Sequence, residues 1–275
     1  MNTINNRIEA RFAALASQGR SGLVTFITAG DPHPDATLAY MHALVRGGAD
    51  VVELGVPFSD PMADGPTIQR ASERALAGGM NLRKVLALVE AFRRTDQTTP
   101  VVLMGYLNPI ERMGYEIFAS AAAAAGADGV LTVDLPPEEA GALHGAVRAA
   151  GLSQIFLLAP TSSAARVAAV REFANGFVYY VSVNGVTGEK SAEATAVLSR
   201  VSELKAATGL PVGVGFGVRT AAAAAAVALT SDAVIVGSAL IEIIENANDV
   251  SAGASQLEAF AHGLRLAMDD TRAAA

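Results

Sequence analysis

The chain has 275 residues, 51% of them hydrophobic, which is enough to bury a large core and close to the ~250 residues typical of one α/β barrel. A formal charge of −7 leaves no basic footprint for nucleic acid, and the lack of cysteine excludes disulfides, thiolate catalysis and cysteine-ligated metals. No apolar run reaches the ~18 residues that cross a bilayer, and the opening Met1 to Arg7 has no signal-peptide plan; a cytoplasmic protein of one domain, residues 1–275, with neither membrane nor nucleic acid as partner, is expected.

In chain order, Ile4, Ile8, Phe12 and Leu15 recur at helical spacing and predict an amphipathic leading helix over 3–18 that packs on the body as an extra element. Eight apolar runs follow, at 23–28, 51–56, 101–106, 129–133, 155–158, 177–183, 212–217 and 233–237, and they read as strands. Helical patterns begin between them near Asp35, Asn81, Tyr115, Glu138, Ser163, Ala192, Thr220 and Ser238. Asp35, Ser163 and Thr220 are the expected caps, and Gly47-Gly48, Gly78-Gly79, Gly126 and Gly151 the expected stops. The alanine runs at 121–125 and 221–226 suit packed helices, alanine being the strongest helix former. Ala49-Asp50-Val51, Ala127-Asp128-Gly129 and Ser231-Asp232-Ala233 recur at strand starts, an echo of one helix-to-strand joint. Eight βα units without a linker predict a single (β/α)8 TIM barrel with an extra N-terminal helix. An open doubly wound sheet is the alternative, although a Rossmann reading lacks its first-turn glycine fingerprint, which Ala29-Gly30-Asp31-Pro32 cannot form.

The second strand carries an anomaly. Glu53 sits in the run Val51-Val-Glu-Leu-Gly-Val56, where an ionised carboxylate costs several kcal/mol unless it is paired or solvated. It is either a structural carboxylate with a buried partner or a proton-transfer group at a strand end. Asp60 and Asp64 follow in a loop stiffened by Pro57, Pro61 and Pro66; spacing does not decide whether either is catalytic, a turn residue or a helix cap. In a barrel the active site gathers at the C-terminal strand ends, which here also bring Thr28 to Asp31, Tyr106 to Asn108, Asp134, Pro160-Thr161, Ser182 to Gly188, Gly215 to Gly217 and Gly237-Ser238.

Glycines collect after the last three strands, at 185–188, 213–217 and 237, the last just before Ser238 opens a short helix. Exposed backbone N–H groups and a helix N-terminus in those loops make an anion site, and a phosphate is expected there. Lys84, Lys190 and Lys205 end no strand, which argues against a Schiff-base aldolase, and His33, His42, His144 and His262 show no metal-ligand spacing. Carboxylate acid–base chemistry on a phosphorylated small molecule remains. Phe26, Tyr106, Tyr179 and Phe216 lie on or at the ends of strands, where they either wall an aromatic pocket or are plain core.

The segments Val52 to Gln69 (VELGVPFSDPMADGPTIQ), Gly185-Val-Thr-Gly188 and Val214-Gly-Phe-Gly217 closely resemble the α subunits of tryptophan synthases, and the resemblance spans essentially the whole chain. It implies a (β/α)8 barrel that cleaves indole-3-glycerol phosphate to indole and glyceraldehyde 3-phosphate in tryptophan biosynthesis. It places the two catalytic carboxylates on Glu53 and Asp64, the phosphate contacts on Gly188, Gly217, Gly237 and Ser238, and the indole pocket on Phe26, Tyr106, Leu131, Tyr179 and Phe216. Thr187 matches the loop residue that closes towards the second carboxylate, and Val183-Asn184 depart from the family's pattern, which has an arginine or leucine and a further small residue there. The resemblance also implies no metal and no cofactor in this chain, and a pyridoxal-phosphate β subunit as partner in an αββα complex. A mainly regulatory subunit, a stand-alone lyase and a phosphosugar isomerase are the rival readings.

Overall fold

The computed structural model describes residues 6–181, 192–215 and 217–273. Eight parallel strands, β1 (Gly22–Thr28), β2 (Val51–Gly55), β3 (Val101–Gly105), β4 (Gly129–Thr132), β5 (Ser153–Leu158), β6 (Val178–Val181), β7 (Val212–Gly215) and β8 (Ala233–Val236), pair in chain order and close where β8 meets β1. The expected barrel is therefore the observed one. Each strand falls within two residues of its predicted start.

The helices are α1 (Arg7–Ser17), α2 (Thr37–Arg46), α3 (Pro66–Ala77), α4 (Leu82–Arg93), α5 (Leu107–Met113), α6 (Tyr115–Ala125), α7 (Gly141–Ala149), α8 (Ala164–Phe173), α9 (Ala192–Thr208), α10 (Ala221–Ala228), α11 (Ser238–Asn246) and α12 (Val250–Ala273). Ser163 and Thr220 cap α8 and α10 through their side-chain oxygens, as expected. Asp35 does not cap its segment. His33 holds that position, accepting the Asp35 N–H at Nδ1, and a 3-10 turn over Pro34–Ala36 leads into α2. A similar turn, Pro137–Glu139, precedes α7.

Three helices were not anticipated. Helix α3 starts on Pro66 inside what reads as a proline-stiffened loop, because proline at the first helical position removes an N–H that would be an orphan anyway. Helix α5 is too short to show periodicity. Helix α12 does carry a stripe, with Leu257, Ala261, Leu264 and Met268 fully buried against the barrel, and Asp249 accepts the Ala252 N–H at 2.8 Å as its cap.

Helix α1 closes the N-terminal mouth of the barrel. Its i, i+4, i+7 residues Ile8, Phe12 and Leu15 are buried, and Phe12 stacks on Phe177 with ring centroids 5.4 Å apart. Each such side chain contributes roughly 1.5–3 kcal/mol of burial. Above this plug, Val24, Val51, Val102, Leu131, Ile155, Ala233 and Ile235 fill the interior, so the barrel is solid up to its C-terminal third.

The strand-start aspartates brace the N-terminal rim. Asp50 accepts the Leu23 N–H at 2.9 Å and returns its own N–H to the Leu23 carbonyl; Asp128 does the same with Val101, and Asp232 with Val212. A cation from a neighbouring helix neutralises each one: Arg265 for Asp50, Arg93 for Asp128 and Lys205 for Asp232. Asn175 completes the set as a neutral member, clamping Gln154 in the same two-bond manner. All four odd–even strand pairs are thus tied at their start, leaving the opposite rim to the loops.

Candidate active site

Glu53 lies in register between Phe26 on β1 and Val102 on β3, with its side chain in the barrel interior. It is 0% exposed, and neither carboxylate oxygen has a hydrogen-bond partner among the described residues. Without a partner, burial alone penalises the charged form and pushes its pKa up to about 8. A structural buried carboxylate would have been expected to hold a partner. Burial without a partner favours the protonated form of Glu53, the condition a proton-transfer acid needs near neutral pH.

Asp64 stands over the same strand ends at the close of the loop after β2. That loop is held by short contacts: the Asp64 N–H donates to Pro61 O at 3.0 Å, and Gln69 Nε2 on α3 donates to Asp64 O at 2.8 Å. The Tyr106 hydroxyl accepts the Ala63 N–H at 3.0 Å and lies where it favours the charged Asp64 carboxylate. Burial raises the Asp64 pKa and the Tyr106 hydroxyl opposes the rise; the same surroundings push Tyr106 up to about 12. Phe58 stacks on Tyr106 at 5.3 Å. Asp60 points elsewhere, taking a hydrogen bond from Ser59.

Phe26, Thr28, Gly55, Asp64, Ser72, Met104, Tyr106 and Val133 enclose a cavity of about 20 Å³ at the C-terminal strand ends. Gly55 is required here, since a Cβ on it would stand 2.7 Å from the Phe26 ring. Tyr179 leans over Gly215, where a Cβ would lie 2.6 Å from its hydroxyl, and burial together with the Glu53 and Asp64 carboxylates raises its pKa. Leu131 is fully buried in the apolar layer with Val102 and Ile155, beneath the cavity rather than on its wall. A cavity of about 480 Å³ opens at the opposite rim, lined by Phe12, His144, Phe173 and Leu210, and none of the expected site residues reaches it.

Of the expected phosphate contacts, Gly237 is the N-cap of α11 and Ser238 its first residue, and no side chain caps that helix. Its first N–H groups therefore face the strand ends without an internal acceptor. Gly217 adopts φ +61°, a backbone only glycine holds without strain, with open space where a Cβ would be. Thr187, Gly188 and Phe216, with Val183 and Asn184, lie outside the described residues. Among the described residues no three His, Asp or Glu side chains come together to hold a metal ion, and no helix is long and apolar enough to cross a membrane.

Sequence reasoning did not anticipate the anchoring roles of Tyr106 and Gln69, both invisible to spacing. Two of the histidines serve packing: His42 lies 4.9 Å from the Phe92 ring, and His144 meets Phe173 edge-on while bonding Gln154.

A family model described as tryptophan synthase alpha chain matches residues 12–269. Tryptophan synthase alpha chains of Burkholderia ambifaria (strain MC40-6) and Laribacter hongkongensis (strain HLHK9) are each 58% identical over 264 residues, covering 96% of this chain and 97% and 99% of theirs. The crystal structure of tryptophan synthase subunit alpha from Legionella pneumophila str. Paris superposes with a TM-score of 0.90 at 46% identity, over 96% of this chain and 99% of that one. With Glu53 buried inside a closed barrel and Asp64 on the cavity at its C-terminal rim, and with these relatives matched along nearly their whole length, the chain belongs to the tryptophan synthase alpha chain family.

Proposed function

We propose that the chain, acting as one barrel domain over residues 1–275, cleaves indole-3-glycerol phosphate to indole and glyceraldehyde 3-phosphate, with Glu53 as proton carrier and Asp64 as the charge facing the indole N–H. The observation that carries this reading is the Glu53 carboxyl: fully buried, unpartnered among the described residues, and pushed up to about 8.

The protonated Glu53 gives its proton to C3 of the indole, turning the ring into an iminium cation. Asp64 accepts the ring N–H and stabilises that charge in a poorly hydrated pocket. The C3–C3′ bond then breaks with its electron pair re-forming the C2=C3 double bond, while the C3′ hydroxyl gives its proton to the Glu53 carboxylate and becomes the aldehyde. Glu53 ends protonated, as it began. The substrate's own ring is the electron sink, so the route calls on no cofactor from this chain. The N-terminus of α11 at Gly237-Ser238, with Gly217 and Gly188, would hold the phosphate; Phe26, Tyr106 and Tyr179, with Leu131 below, would wall the indole side, and Phe216 and Thr187 would join them.

Indole would pass to a pyridoxal-phosphate β subunit in an αββα complex, with the exposed loop at 57–66, where Met62 is 87% exposed, on the partner's side. Incubating the purified chain with indole-3-glycerol phosphate, alone and with a tryptophan synthase beta chain, tests this. Indole release by the chain, faster with the partner, is expected; none under either condition contradicts it.

A further inference from the structure

The two ends of this site are carried by different helices. Asp64 sits immediately before α3, whose N-cap is Gly65 and whose Gln69 holds the Asp64 carbonyl. The phosphate end is the N-terminus of α11. A substrate that must reach both fixes the span between these helices, and something has to hold it.

A stripe of polar residues joins them. Ser238, Glu242 and Glu245 follow one another at i, i+4 and i+7 on α11, and Thr67, Arg70 and Arg74 at i, i+3 and i+7 on α3. Arg70 grips Glu245 with both arms of its guanidinium, at 2.8 and 2.7 Å. Arg74 donates to the same carboxylate at 2.8 Å and closes a second bidentate pair on Asp31, just past β1, at 2.6 and 3.0 Å. Glu242 takes both arms of Arg219, two residues past Gly217. Three arginines thus meet three carboxylates, so none of these arginines is left free to bind the phosphate directly. The outer pairs are exposed and alone would be worth little; the inner end is anchored by Asp31, which is 0% exposed.

We propose that Glu242 and Glu245 are positioning residues for the cleavage: by locking α11 to α3 and to the segment after β7, they set the distance between the phosphate anchor and Asp64. This rests on the function proposed above. Glu245→Gln in the full chain keeps the side chain's size and loses the charge that Arg70 and Arg74 share. The expected result is a kcat for indole release lowered about tenfold or more, because misplacement on the ångström scale is costly. Calorimetric Kd for glycerol 3-phosphate, which reads the phosphate end alone, should stay within about twofold of the parent, and Glu245→Asp should recover most of kcat. Arg219→Gln, on an exposed arginine, should show the same split if Glu245→Gln folds poorly. Unchanged kcat in both Gln variants overturns the proposal, as does a parallel loss of kcat, glycerol 3-phosphate binding and Tm that Glu245→Asp does not rescue. A parent chain that releases no indole overturns the proposed function itself, and this inference with it.

Discussion

At the scale of single residues, the site contrasts two carboxyl groups that the sequence presents alike. Glu53 has no partner among the described residues, and burial favours its neutral form; Asp64 has a hydroxyl that favours its charge. The Tyr106 hydroxyl should therefore matter through Asp64. Tyr106→Phe keeps the ring and its stacking on Phe58 but removes the acceptor for Ala63 N–H and the hydroxyl that favours the Asp64 charge. In the proposed mechanism Asp64 works as the anion, whose population is lost as pH falls through its pKa; removing the hydroxyl that lowers this pKa should shift the acidic limb of the kcat profile to higher pH. A drop in kcat of about tenfold is expected, and a profile superimposable on the parent's would refute the link. Glu53 was legible in the sequence because a carboxylate among valines is costly wherever it folds. The Asp64–Tyr106 link was not, since it joins residues far apart in the chain whose meeting depends on the conformation of a loop.

At the scale of elements, strands were legible and helices less so. Parallel strands buried on both faces read as short apolar blocks, and each of the eight appeared where such a block lies. Helices α3 and α5 were hidden because one begins with a proline and the other spans two turns. The aspartate echo turned out to be a physical joint, and its fourth member escaped notice because Asn175-Gly176-Phe177 does not resemble the other three triplets. The brace makes a graded prediction. Asp128 is 1% exposed, pairs with Arg93 and Arg7 and caps Val101, so Asp128→Ala leaves buried Arg93 short of its charge partner and should cost about 3–5 kcal/mol. Asn175→Ala removes a neutral acceptor and should cost about 1–3 kcal/mol. Urea unfolding of both variants checks the order; equal losses would mean that the charge adds nothing to the joint.

At the scale of the whole molecule, the barrel divides its work between its ends. The N-terminal rim is plugged by α1 and braced by charged joints, while the C-terminal rim carries a buried acid that weakens the fold. The sign follows from proton binding. Between the ordinary glutamate pKa near 4.5 and about 8, the folded chain holds the Glu53 proton and the unfolded chain has lost it, so this group's contribution falls as pH rises through that window and levels off above it. Replacing Glu53 by neutral Gln removes that slope, which is on the order of 1.4 kcal/mol for each pH unit crossed. The variant should therefore be more stable than the parent by a few kcal/mol at pH 8 and above, with little difference near pH 4. The most direct measurement is indole release from indole-3-glycerol phosphate by Glu53→Gln, made alongside glycerol 3-phosphate binding and Tm across this pH range. The account predicts turnover lower by about 10²–10⁴ with phosphate binding intact and a higher Tm at alkaline pH. Turnover near the parent's, with binding intact, would contradict it and leave Glu53 a buried charge with no part in the chemistry.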